Sequence, residues 1–65
     1  MNKRQASQVQ IGEKVVYTSG GTQHRVLDIA KDHIPGSTPK GRYPLFLLEW
    51  EGDREWVTYL LLQPL

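Results

Sequence analysis

The sequence predicts an all-β domain, a small and strongly bent antiparallel barrel of four to five strands that ends in a 3₁₀ turn. Three observations carry this reading. The apolar residues fall in short β-branched and aromatic runs, at Lys14-Val15-Val16-Tyr17-Thr18, at Val26-Leu27-Asp28-Ile29 and between Leu45 and Tyr59, and no segment has the spacing of a helix of ordinary length. Glycine-rich or Gly-Asp turn signals separate these runs. A chain of 65 residues without cysteine has room for one core and no disulfide to staple it.

Taken in order, residues 1–10 offer only Ala6 and Val9 as apolar side chains after Met1, too little to offset the entropy of ordering them. A mobile polar tail is expected there, ahead of a barrel over residues 11–65. Gly12-Glu13 turns the chain into a first strand, which Ser19-Gly20-Gly21 closes with residues that tolerate positive φ. A second strand runs from Thr22 to Ala30, where the adjacent apolar Val26 and Leu27 break strict alternation and predict a bulge or sharp bend. Its facing stays open at this stage. Residues 31–44 contain Pro35, Gly36, Ser37, Pro39, Gly41 and Pro44, and prolines remove ladder donors, so this is a long loop. Long loops in compact domains are more often functional or disordered than inert, which makes it the first place to expect a partner.

The next segment reads as a β-hairpin, Leu45 to Glu51 and Arg54 to Tyr59 around a two-residue Gly52-Asp53 turn. That register sets Glu51 opposite Arg54, Trp50 opposite Glu55, Leu48 opposite Val57 and Phe46 opposite Tyr59. Opposed residues share a face, so Phe46, Leu48, Trp50, Val57 and Tyr59 form the core side with Glu55. Trp56 then lies on the outer face beside Leu47 and Glu49. Leu60-Leu61-Leu62 suits a 3₁₀ turn sealing the barrel end, and Gln63-Pro64-Leu65 a short edge strand that tolerates proline.

Gly12-Glu13-Lys14-Val15-Val16-Tyr17 followed by Ser19-Gly20-Gly21, Val26-Leu27-Asp28-Ile29-Ala30, and Glu55-Trp56-Val57 before a leucine-rich end form an order of short motifs. From Gly12 to Pro64 this order resembles the SH3-like barrels, in particular small uncharacterised bacterial and phage domains that share a fold with KOW, Tudor and chromo modules. The resemblance implies a fold and leaves function open, because one barrel hosts many tasks. Leu48-Glu49-Trp50-Glu51-Gly52 is similar to a chromo-domain segment, but the carboxy-terminal helix of that family is missing. The loop carries Lys31, Lys40 and Arg42 against Asp32, unlike the acidic loop of proline-recognising SH3 domains, so a proline-rich ligand is not expected.

Composition excludes several function classes. The net charge of +1 sets up no overall field toward nucleic acid or an anionic membrane. The longest apolar run, Leu60 to Leu62, falls far short of the ~20 residues that span a bilayer, and no apolar stretch follows Lys3 and Arg4 as a signal peptide would require. A cytoplasmic domain with no membrane contact is expected. His24 and His33, the only histidines, lack metal-ligand spacing, so no metal or cofactor is expected. Ser19-Gly20-Gly21-Thr22 reads as a turn, since no helix start follows to complete a phosphate cradle. Glu49, Glu51, Asp53 and Glu55 surround a solvated hairpin tip without a pocket to part their acidities, so no enzyme is expected.

The charge is nevertheless uneven, at +3 over residues 1–25, +1 over residues 26–48 and −3 over residues 49–65. The expected function is a non-catalytic module that binds a protein through the 31–44 loop with Trp56 and Tyr43. The alternative is a sequence-tolerant nucleic-acid-binding barrel. In it Lys3, Arg4, Lys14, Arg25, Lys40 and Arg42 would hold phosphates while Tyr17, Tyr43 or Trp56 stacks on bases. The apolar surplus at Leu60 to Leu62 and Leu65 fits a monomer or a weak homo-oligomer.

Overall fold

Five antiparallel strands in the order β4-β3-β2-β1-β5 make up the computed structural model, which describes residues 1–65. They are β1 (Lys14–Tyr17), β2 (Gln23–Ala30), β3 (Leu45–Trp50), β4 (Asp53–Thr58) and β5 (Leu62–Pro64), with a 3₁₀ turn at Tyr59–Leu61 and one short helix, α1 (Lys3–Gln8). The fold is all-β and barrel-like, as the sequence predicts. Its radius of gyration of 10.7 Å matches the about 11 Å of a compact chain this long.

β2 is the strand that curls the sheet. Gln23 to Arg25 pair with β1, while Val26 to Ala30 pair with β3, and the register slips between Val26 and Asp28. The extra residue there is Leu27, so the predicted bulge is present. It sets Leu27 and Asp28 together against Leu47. Val26 and Ile29, three positions apart, consequently both reach the core side, where a regular strand would have turned one of them outward.

The core comprises Ala6, Val15, Val26, Phe46, Leu48, Val57, Tyr59 and Leu62. Phe46, Leu48, Leu62, Val15 and Val26 are its fully buried large side chains, and each such burial contributes about 1.5–3 kcal/mol. Thr58 opens the 3₁₀ turn by accepting from the Leu60 amide, and Leu62 closes it by donating to the Tyr59 carbonyl. The chain then joins β1 as β5, with Pro64 opposite Val15 on the sheet's edge, where its missing donor does no harm.

Two expectations are corrected. Residues 1–10 are not a mobile tail. Asn2 and Gln5 form a reciprocal capping box, the Asn2 side chain accepting from the Gln5 amide at 2.8 Å and the Asn2 amide donating to Gln5 Oε1 at 3.0 Å. That start is enough to launch α1, and Ala6, 3% exposed, docks it into the core with Met1 and Val9 packed beside it. The Met1 amino group ties the segment down further by donating to the carbonyls of Tyr59 and Leu62.

The second correction is the hairpin turn. Trp50 opposes Asp53, Glu49 opposes Arg54, Leu48 opposes Glu55, Leu47 opposes Trp56 and Phe46 opposes Val57. The turn residues are therefore Glu51 and Gly52, at φ 49° and 81°, and not Gly52 and Asp53. Positive φ at both centres is the type I′ requirement, and its second position is the one that most favours glycine. Moving the turn by one residue slides the pairing by two, so every side chain keeps its predicted face. Tyr59 no longer opposes Phe46; it leaves the strand for the 3₁₀ turn and is buried there.

Candidate functional site

The outer face of β2, β3 and β4 carries the candidate surface. Trp56 stands opposite Leu47, and Leu47 opposite Asp28, so the three lie in one row across the strands. Leu27 joins them through the bulge, and Leu27, Leu47 and Trp56 are each only partly covered. Glu49 and Arg54 make the next row toward the turn. The product is a partly buried apolar strip with charged residues at its margins.

The row on the other side, Ala30, Leu45 and Thr58, is closed off by the 31–44 loop. Ala30 and Leu45 are 6% and 3% exposed although they face away from the main core. Gly41 lies over Leu45, where a Cβ would be 3.6 Å from Leu45 Cδ2. Thr58 Oγ1 donates to the Arg42 carbonyl at 2.6 Å, and the Tyr59 amide to the Pro44 carbonyl at 3.2 Å, which fasten the loop to the end of β4.

The loop orders itself around a polar knot. The Ser37 and Thr38 amides both donate to the Ile34 carbonyl at 3.0 Å, and the Ile34 amide donates to Thr38 Oγ1 at 2.9 Å. Tyr43 closes the knot: its hydroxyl meets Thr38 Oγ1 at 2.9 Å, His33 Nδ1 at 3.1 Å and the Pro39 carbonyl. Thr38 is buried, the one buried polar residue of the chain.

The residues singled out from the sequence separate into three groups. Trp56 lies on the outer-face strip, with the exposed Lys40 and Arg42 in the adjoining loop and Tyr43 half-buried by the knot just described. Lys14 and Arg25 are cross-strand partners on β1 and β2, and the Arg25 guanidinium donates to the Gly12 carbonyl at 2.6 Å. Tyr17 packs internally, edge to face with Trp50 at a centroid distance of 5.0 Å. His24 stacks on the same indole at 3.8 Å, so three rings converge where the sequence had shown no convergence.

Sequence reasoning passed over Leu27 as a surface residue and passed over the helix that brings Lys3 and Ser7 beside Lys31. The signal for the helix was present: Asn followed three positions later by Gln is the capping-box pattern. No helix is long and apolar enough to cross a membrane. The chain matches no family model, no curated protein and no solved structure.

Proposed function

We propose that this protein is a non-catalytic, cytoplasmic binding module that engages a protein partner through the strip formed by Leu27, Leu47 and Trp56, with the 31–44 loop as its rim. The observation that carries this reading is the Leu47–Trp56 pair, apolar and only partly buried on an outer sheet face. Tryptophan is the residue most enriched at interface hot spots, and a hot spot needs a ring of surrounding contacts to exclude water. The hydrogen-bonded loop supplies such a rim in an ordered form, which lowers the entropy lost on binding. The resemblance to SH3-like barrels, many of which serve as interaction modules, agrees with it. Both histidine rings already have partners, His24 at Thr22 and Glu49 and His33 at Tyr43, which supports a non-catalytic role.

The nucleic-acid alternative draws on the Lys14 and Arg25 pair and on Lys40 and Arg42. One pair of experiments separates the readings. The labelled protein is titrated with a mixed-sequence single-stranded oligonucleotide at low and moderate salt, and proteins retained by the wild type are compared with those retained by Trp56→Ala. The expected result is no salt-sensitive shift at Lys14, Arg25 or residues 40–43, together with a captured protein whose affinity falls about tenfold or more in Trp56→Ala. Salt-sensitive shifts at those cations would move the assignment to nucleic acid. Undiminished capture by a folded Trp56→Ala variant would remove the strip as the interface.

A further inference from the structure

A cleft of about 380 Å³ opens between α1, the end of β2 and the Tyr43-Pro44 segment, on the side of the molecule reached by the core face of β2. Its floor is apolar: Ala6, Val9 and Ile29, with Tyr43 and Pro44 as one wall. Its polar lining consists of Lys3, Ser7 and Lys31, and no acidic side chain reaches it. The arrangement follows from two local periods. Lys3, Ala6 and Ser7 stand at i, i+3 and i+4 on α1 and so share one face of the helix. Lys31 follows Ile29 by two positions and lines the same cleft.

The hydroxyls nearby are already engaged. Ser7 Oγ donates to the Arg4 carbonyl at 2.7 Å, and the Tyr43 hydroxyl proton is held within the loop knot. The two ammonium groups are therefore the donors left for a ligand, and they act as point charges without the fixed fork of a guanidinium. A small apolar hollow with two cations at its rim and no anion suits one chemistry. We propose that this cleft binds a small carboxylate with a compact apolar body, either as a free acid or as the C-terminal residue of a peptide. The apolar body would fill the floor over Val9 and Ile29, and the carboxylate would lie between Lys3 and Lys31. The site is distinct from the Leu47–Trp56 strip and does not depend on its assignment.

The test uses the full ¹⁵N-labelled chain and five probes: phenylacetate, phenylacetamide, N-acetyl-leucine, N-acetyl-leucinamide and inorganic phosphate. Saturable shifts at Ser7, Ile29, Lys31 and Tyr43 are expected with one or both carboxylates. Each neutral amide should bind about tenfold more weakly. Preference between phenylacetate and N-acetyl-leucine distinguishes a free acid from a peptide terminus. Lys3→Met and Lys31→Met, both at exposed positions, should each weaken carboxylate binding about threefold, as for a solvent-facing ion pair. Trp56→Ala should leave it unchanged. Equal affinity for acid and amide, shifts with phosphate as strong as with the carboxylates, or no saturable shift with either acid would overturn the proposal.

Discussion

His24 lies flat against Trp50, with ring centroids 3.8 Å apart and planes 6° apart. The contact joins β2 to the last residue of β3, with Tyr17 set edge-on to the same indole. His24 Nδ1 lies 2.9 Å from the Glu49 carbonyl, which can only accept, so that nitrogen carries a proton. Nε2 faces Thr22 Oγ1 at 2.7 Å, a hydroxyl that can serve it as either donor or acceptor.

Replacing this ring removes the stack and both of its hydrogen bonds. His24→Ala is expected to cost about 1–2 kcal/mol. In a domain this small that lowers Tm by about 5–15 °C. Thermal unfolding followed by circular dichroism reads it directly, and Trp50 emission should shift to the red as the ring gains solvent. A Tm change within about 2 °C of the wild type would show that the stack contributes little to stability.

Glu51 holds φ at 49°, a conformation that charges a residue with a Cβ roughly 1–2 kcal/mol. Asn-Gly is the favoured pair for this turn, so Glu51→Asn should raise stability by about 0.5–1 kcal/mol with the hairpin register unchanged. Gly52→Ala should do the opposite. A Cβ at Gly52 would meet no atom within 4 Å, so any loss there reports backbone conformation alone, at φ 81°. Denaturant midpoints for the two variants should move in opposite directions, and movement in the same direction would contradict the turn assignment.

Tyr43 is the keystone of the 31–44 loop through its hydroxyl. Tyr43→Phe keeps the ring and deletes the contacts to Thr38, His33 and Pro39, at a cost of about 1 kcal/mol. The effect should be local. Amide exchange at Ile34, Ser37 and Thr38, whose hydrogen bonds form the knot, should accelerate, while exchange within β3 and β4 stays at its wild-type rate. Equal acceleration throughout the chain would show instead that loop and barrel open as one unit.

The strands of this molecule were legible because their signals are local. β-branched and aromatic runs and the adjacent Val26-Leu27 pair each describe a few consecutive residues, and the corresponding strands and bulge are where those residues put them. Even the misplaced hairpin turn left the faces intact, since a two-residue slip preserves the alternation of side chains. Trp56 was placed on the outer face for that reason.

Tertiary structure decided what depends on residues distant in the chain. Ala6 is too small to order a tail by itself, yet it docks α1 because Val9 and the chain end at Tyr59 and Leu62 meet it there. Tyr17, His24 and Trp50 sit on three strands, and only the pairing of β1, β2 and β3 side by side brings their rings together. The cleft between Lys3 and Lys31 has the same origin, since it exists only where the helix and the end of β2 are packed side by side. Sequence periodicity assigns a side chain to a face of its own element. Which faces meet is set by burial summed over the whole core, a quantity no single window of the chain contains.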